Sequence, residues 1–173
     1  MHAVRWAKGL TFRGLAILSL AAAASAGAAE MPDNNPLVRD VRAANARFMD
    51  VKAAVAEGYA PIPCTSGADG GAMGVHYVNP QYIKDDAPDI RHPAAVMYEP
   101  GPGGKMELIG VEYIATKGPA QLGGHLFSFQ GAPNRYGLPA FYELHVWAWR
   151  ANPKGAFTDM NPAVSCDHMM MGH

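Results

Sequence analysis

Long apolar runs are nearly missing from this 173-residue chain. Leu15 to about Ala24 is the one clear run, and it falls short of the ~20 residues that cross a bilayer as a helix. Runs of like charge are missing too. Fourteen Lys and Arg stand against 15 Asp and Glu, with a net charge of −1. No basic stripe is available to follow a phosphate backbone, so a nucleic-acid role is excluded. Several catalytic signatures are absent: there is no G-x-S-x-G elbow for acyl transfer and no H-E-x-x-H for a zinc protease. The Gly-rich stretch "IPCTSGADGGAMG" is not a dinucleotide fingerprint, which needs G-x-G-x-x-G between a strand and a helix. "GPGGKM" is not a P-loop, because Met106 stands where Ser or Thr is required and no Gly lies five places before Gly104. Both stretches read as turns. Cysteine is scarce, with only Cys64 and Cys166.

What is present first speaks to location. Arg5, Lys8 and Arg13 precede the short apolar run, and small residues follow it at Ala24-Ser25-Ala26 and Ala26-Gly27-Ala28. A positive end, a short apolar stretch and small residues at a cut form a secretory signal peptide, predicted here over residues 1–29. No Cys marks a lipid anchor at the cut, so a periplasmic or secreted protein that leaves the membrane after cleavage is expected. Removing three basic residues and no acid makes the mature chain more acidic. In an oxidising compartment the two cysteines are expected to pair as one disulfide; two thiolate metal ligands are the sharper alternative.

The remainder predicts a single α+β domain over 30–166, one amphipathic helix packed on a mainly antiparallel sheet of about five strands. Leu37, Val41, Ala44, Phe48, Val51 and Val55 alternate at spacings of four and three, one stripe of a helix. Asn35 can cap it, Pro36 suits its first position, and Gly58 followed by Pro61 ends it. Strands are predicted at 74–79, 94–99, 106–116, 125–130 and 140–149, rich in aromatic and β-branched residues and bounded by Gly and Pro. "EPGPGGK" reads as a hairpin, and "NPKG" at 152–155 as a type I turn.

Candidate chemistry lies where polar residues interrupt these strands. Strict alternation places Tyr142, Leu144, Val146 and Ala148 on one face of the last strand. Phe141, Glu143, His145, Trp147 and Trp149 fall on the other. Glu112 shares a face with Leu108 and Ile114 by the same count. His76, Glu112, His125 and His145 are therefore expected to meet on the sheet face away from the helix. Imidazoles with a carboxylate suit a transition metal, copper or zinc foremost. For each residue alone, a satisfied structural hydrogen bond is the competing account. The chain ends "SCDHMMMGH". His168, Met169, Met170, Met171 and His173 offer soft thioethers and imidazoles suited to Cu(I), on a tail over 167–173 expected to be mobile.

The stretches "GAMGVHYVNP", "YEPGPGGKMELIGVEYIA" and "LHVWAWRANPKGAFTDMNPAVSC" resemble a group of exported bacterial proteins. The resemblance carries no activity with it. The leading functional expectation is a periplasmic, copper-related metal-binding protein with a His/Glu site. The alternatives are a periplasmic enzyme with a small-ligand pocket using Glu112 and His145, and a non-catalytic structural or interaction domain. The partner expected is a metal ion or small ligand.

Overall fold

Asn35 opens the ordered account of the chain by capping helix α1 (Pro36–Asn45), its side chain accepting from the backbone N–H of Leu37 and Val38. The computed structural model describes residues 35–67, 70–84 and 88–169, so the expected signal peptide at 1–29 lies outside the described residues. Pro36 takes the first helical turn, where its missing N–H leaves nothing unpaired. A 3₁₀ turn follows (Ala46–Met49), then helix α2 (Val51–Ala56). Asp50 separates the two in extended conformation (φ −95°, ψ 114°) and caps α2 at Lys52 N–H. This break changes which side chains face inward. Leu37, Val41 and Phe48 are buried as the spacing predicts, but beyond Asp50 the inward residue is Ala54, while Val55 is 56% exposed. Gly58 leaves the helix at φ +87°, the left-handed exit that glycine makes without strain.

The strands are β1 (Ala60–Pro61), β2 (Thr65–Ser66), β3 (Ala72–Val78), β4 (Ala95–Pro100), β5 (Met106–Ala115), β6 (Gln121–Leu122), β7 (His125–Leu126), β8 (Ser128–Gln130) and β9 (Phe141–Val146). The main sheet runs β1-β3-β4-β5-β9-β8, with β2 also paired to β3, and its strand pairs are antiparallel. Strands β6 and β7 form a separate two-stranded ribbon. The protein is thus α+β with a mainly antiparallel sheet. The strand expected at 125–130 is split between these two sheets. The one expected at 140–149 stops at Val146, because Trp149 and Arg150 turn back to donate to the Ile109 carbonyl at 3.2 Å each. Trp149 consequently packs with the helix-side core, not on the opposite face.

A second departure sits between β4 and β5. Met97 pairs with Gly110 and Tyr98 with Leu108, so Ile109 is an extra residue, a β-bulge. One extra residue flips every side chain after it to the other face. Leu108 therefore joins the helix-side core with Val111 and Tyr113. Glu112 and Ile114 point to the opposite side, where Ile114 packs with Ala94 and Phe141. Without the bulge, Glu112 would share a face with Leu108, as plain alternation predicts.

The two faces have different fillings. On the helix side, Leu37, Val38, Val41 and Phe48 meet Val96, Tyr98, Tyr113, Leu144 and Val146. The other side is patched by two smaller clusters, Ala72–Met97–Ile109–Trp147–Val164 and Ala94–Ile114–Phe141. The C-terminal segment is fastened there. Ala72 and Asn161 exchange backbone hydrogen bonds at 3.1 Å each way, and Cys64 and Cys166 are disulfide-bonded. Gly71 (φ +86°) allows this approach, since a Cβ there would stand 2.3 Å from the Asn161 carbonyl oxygen. The predicted turn at 152–155 forms, with Gly155 N–H donating to the Asn152 carbonyl at 2.9 Å.

Candidate metal centre

Three strands of the main sheet bring the site together. His76 on β3, Glu112 on β5 and His145 on β9 all project from the face away from the helices, and all three are fully buried. Glu112 and His145 are direct register partners, while β4 lies between β3 and β5. Glu112 Oε2 stands 3.2 Å from His76 Nε2 and 3.5 Å from His145 Nε2. The three ligand atoms lie within 4.8 Å of one another and could hold a metal ion. Nitrogen and oxygen ligands ~2.0–2.2 Å from a tetrahedral zinc stand roughly 3.3–3.6 Å apart, so these spacings suit one ion.

A cation already faces them. Arg135, from the loop between β8 and β9, places Nη2 2.9 Å from Glu112 Oε2 and 3.2 Å from His76 Nε2. The same nitrogen is 3.4 Å from His145 Nε2 and 2.9 Å from the Tyr136 hydroxyl. Tyr136 also donates its O–H to Glu112 Oε2. The guanidinium thus occupies the position from which a metal would touch all three ligands.

The far side of His145 carries a second set of acids. His145 Nδ1 is 3.4 Å from Asp159 Oδ1 and 3.8 Å from Glu143 Oε1, and Gln130 Nε2 donates to Glu143 at 2.6 Å. A cavity of about 380 Å³ opens beside this set, lined by Gln130, Arg135, Tyr136, Glu143 and Asp159 among others.

Burial and charge set the protonation of the group. Burial drives the His76 imidazole down to about 4, against the pull of Glu112. Burial by itself would raise Glu112, but the charges of His145 and Arg135 outweigh it and hold the carboxylate well below its ordinary range. Burial and the neighbouring Glu112 charge push Glu143 up to about 10. The His145 imidazole, 3.4 Å away, holds Asp159 below its ordinary value. The site is therefore an ionised carboxylate beside a neutral imidazole, which is the state of both groups as metal ligands. It is also incompletely satisfied. His76 Nδ1, Glu112 Oε1, His145 Nδ1 and Arg135 Nε are buried without a hydrogen-bond partner among the described residues. Each such orphan costs about 1–3 kcal/mol, and concentrated orphans mark places kept for something other than stability.

One expectation about site residues needs correction. His125 does not join the group. It belongs to the β6–β7 ribbon, stacks on Phe157 at 3.9 Å between ring centroids, and sits 3.3 Å from the Asn35 side chain at the start of α1. The short ribbon leaves the main sheet, so position along the chain did not place this histidine over the polar face. His168 lines a different surface cavity with Glu99 and Lys105 beside the β4–β5 turn. Met169 ends the described chain; residues 170–173 of the expected tail, with Met170, Met171 and His173, lie outside the described residues.

Conversely, Arg135, Tyr136 and Asp159 carry no sequence signal of a site. They stand in turn-rich segments, "APNRYG" and "TDMNP", that read as loops. Only the fold aims them at Glu112 and His145. No family model, curated protein or solved structure matches the chain.

Proposed function

We propose that this is an exported metal-binding protein, directed to the periplasm by residues 1–29, whose ion is held by His76, Glu112 and His145. The observation that carries the reading is the convergence of two imidazole Nε2 atoms and one carboxylate oxygen, all buried, within 4.8 Å. Two imidazoles and a carboxylate leave a fourth position open and suit Zn(II) or Cu(II) better than the hard ions Mg(II) and Ca(II). Copper is the variant of this reading that the Met/His-rich C-terminus favours, because its thioethers suit Cu(I).

Binding exchanges one cation for another. The ion displaces Arg135 Nη2, whose 21%-exposed side chain borders the cavity and can swing into it.

The test is metal analysis of untagged protein purified from periplasm and equilibrated with Zn(II) or Cu(II) in a chelating buffer. The expected result is tightly held ion that is lost in His76→Ala, Glu112→Gln and His145→Ala while far-UV circular dichroism is kept. A wild-type protein that retains no ion, or variants that retain all of it, would sink the proposal.

A further inference from the structure

We infer that Glu143, His145 Nδ1 and Asp159 form a second cation site, so that His145 bridges two transition-metal ions through its two ring nitrogens. The inference rests on the metal-binding reading and extends it from a mononuclear to a dinuclear centre.

The observation is that His145 is used on both edges. Nε2 faces Glu112, and Nδ1 faces Asp159 and Glu143 at 3.4 and 3.8 Å. One ligand atom from each of Glu143, His145 and Asp159 lies within 4.8 Å of the other two. A second, independent feature points at a ligand. The His145 ring is fully buried, yet Nδ1 has no hydrogen-bond partner among the described residues. A buried ring nitrogen aimed at two carboxylates at near-ligand spacing is the donor a cation would complete.

The surroundings agree. Gln130 holds Glu143 by its 2.6 Å hydrogen bond, the kind of outer contact that orients a ligand. Asp159 is 40% exposed, and both acids line the cavity, so an ion reaches this half of the site from solvent. Three ligands leave a coordination position toward the cavity. The charge balance can be written out. As the second ion binds, Glu143 gives up its carboxyl proton and His145 gives up its remaining ring N–H proton, both to solvent. The bridging group is then an imidazolate, with one ion on each nitrogen.

Stoichiometry tests this. Zinc is the first probe, because the C-terminal thioethers do not favour it. The full chain, disulfide intact and carrying His168→Ala and His173→Ala, is equilibrated with Zn(II) and desalted, and its zinc is counted. Two ions per chain are expected, falling to one in Asp159→Asn and in Glu143→Gln. One ion that is indifferent to these substitutions but lost in His76→Ala and Glu112→Gln would overturn the second site and leave the first. No ion at all would overturn both. Two ions that survive both Asp159→Asn and Glu143→Gln would place the second ion elsewhere and overturn the inference. Copper supplies a measurement that does not depend on tolerating Asp159→Asn. Two Cu(II) ions across an imidazolate couple magnetically, so the integrated paramagnetic resonance signal should fall below the copper content. In Glu143→Gln signal and content should agree. Full signal from a two-copper wild-type protein would also overturn it.

Discussion

The two faces of one sheet are built to different standards. Strands β3, β4, β5 and β9 together supply Tyr98 and Tyr113 to the helix side and His76, Glu112 and His145 to the other. On the helix side the buried hydroxyls are spoken for: Tyr98 donates to the Phe48 carbonyl, Tyr113 to the Ile90 carbonyl and Tyr59 to the Pro93 carbonyl, at 2.7–2.9 Å. On the other side, an ionised carboxylate, two imidazoles and a guanidinium keep four buried polar atoms without partners among the described residues. Folding needs apolar burial and satisfied polar groups; the first face supplies the burial and, among the described residues, satisfies its tyrosine hydroxyls, leaving Asn45 Oδ1 as a buried exception. The second face tolerates what folding alone would remove. The difference separates a face that stabilises from a face that is available to a ligand.

Substitutions can break this comparison. The largest effect is expected from Phe48→Ala on the helix side, where a fully buried ring touches Tyr59. The cavity should cost about 4 kcal/mol in urea unfolding, while metal per folded molecule stays unchanged. A parallel loss of metal would mean that the faces are not separable.

Glu112→Gln makes the opposite cut. Removing the charge that faces Arg135 and both imidazoles should cost about 3 kcal/mol without metal and abolish stoichiometric loading. Unchanged stability with metal lost would show that the network contributes nothing to the fold. Unchanged loading would return Glu112 to a purely structural role.

Arg135→Ala sharpens the second face alone. The guanidinium competes for the ion's position, so its removal should raise metal affinity by roughly tenfold and speed loading, read by competition with a chromophoric chelator. A fall in affinity would make Arg135 a supporting group rather than a competitor.

A further effect is on pH dependence. Glu143 is raised to about 10 from 4.5, so the folded state keeps a proton that the unfolded chain has lost, and stability declines as pH rises through that window. His76 is lowered from 6.5 to about 4, so the unfolded chain binds the extra proton there, and stability is lost as pH falls from 6.5 toward 4. Urea midpoints across pH on metal-free protein should show both limbs. Glu143→Gln should flatten only the alkaline one, and an unaltered alkaline limb would assign it to another group.

Much was legible beforehand. The Asn35 cap, the Gly58 exit, the β4–β5 hairpin and the 152–155 turn are local, and local chemistry decides them. So is the alternation that sends Leu144 and Val146 one way and Glu143 and His145 the other, because β9 is regular up to Val146. Two cysteines allow one intramolecular bond, and the fold makes it by joining Cys64 and Cys166 across a sequence separation of 102. What escaped was set by single-residue irregularities. The Asp50 break exchanges Val55 for Ala54, and the Ile109 bulge carries Glu112 to the polar face; neither changes the composition of its segment.

The sequence by itself determined the α+β class, the first helix with its cap, the regular stretches of the main strands, and His76, Glu112 and His145 as candidates. Each of these depends on neighbours within a few positions or on residue type. Tertiary structure alone decided that His125 would leave the group and that Arg135, Tyr136 and Asp159 would enter it. Those outcomes depend on how loops return across a sheet whose register a bulge has shifted. A side chain's face in a strand is inherited from its neighbour, but the company it keeps there comes from chain tens of residues away, joined only when burial of the core fixes the sheet.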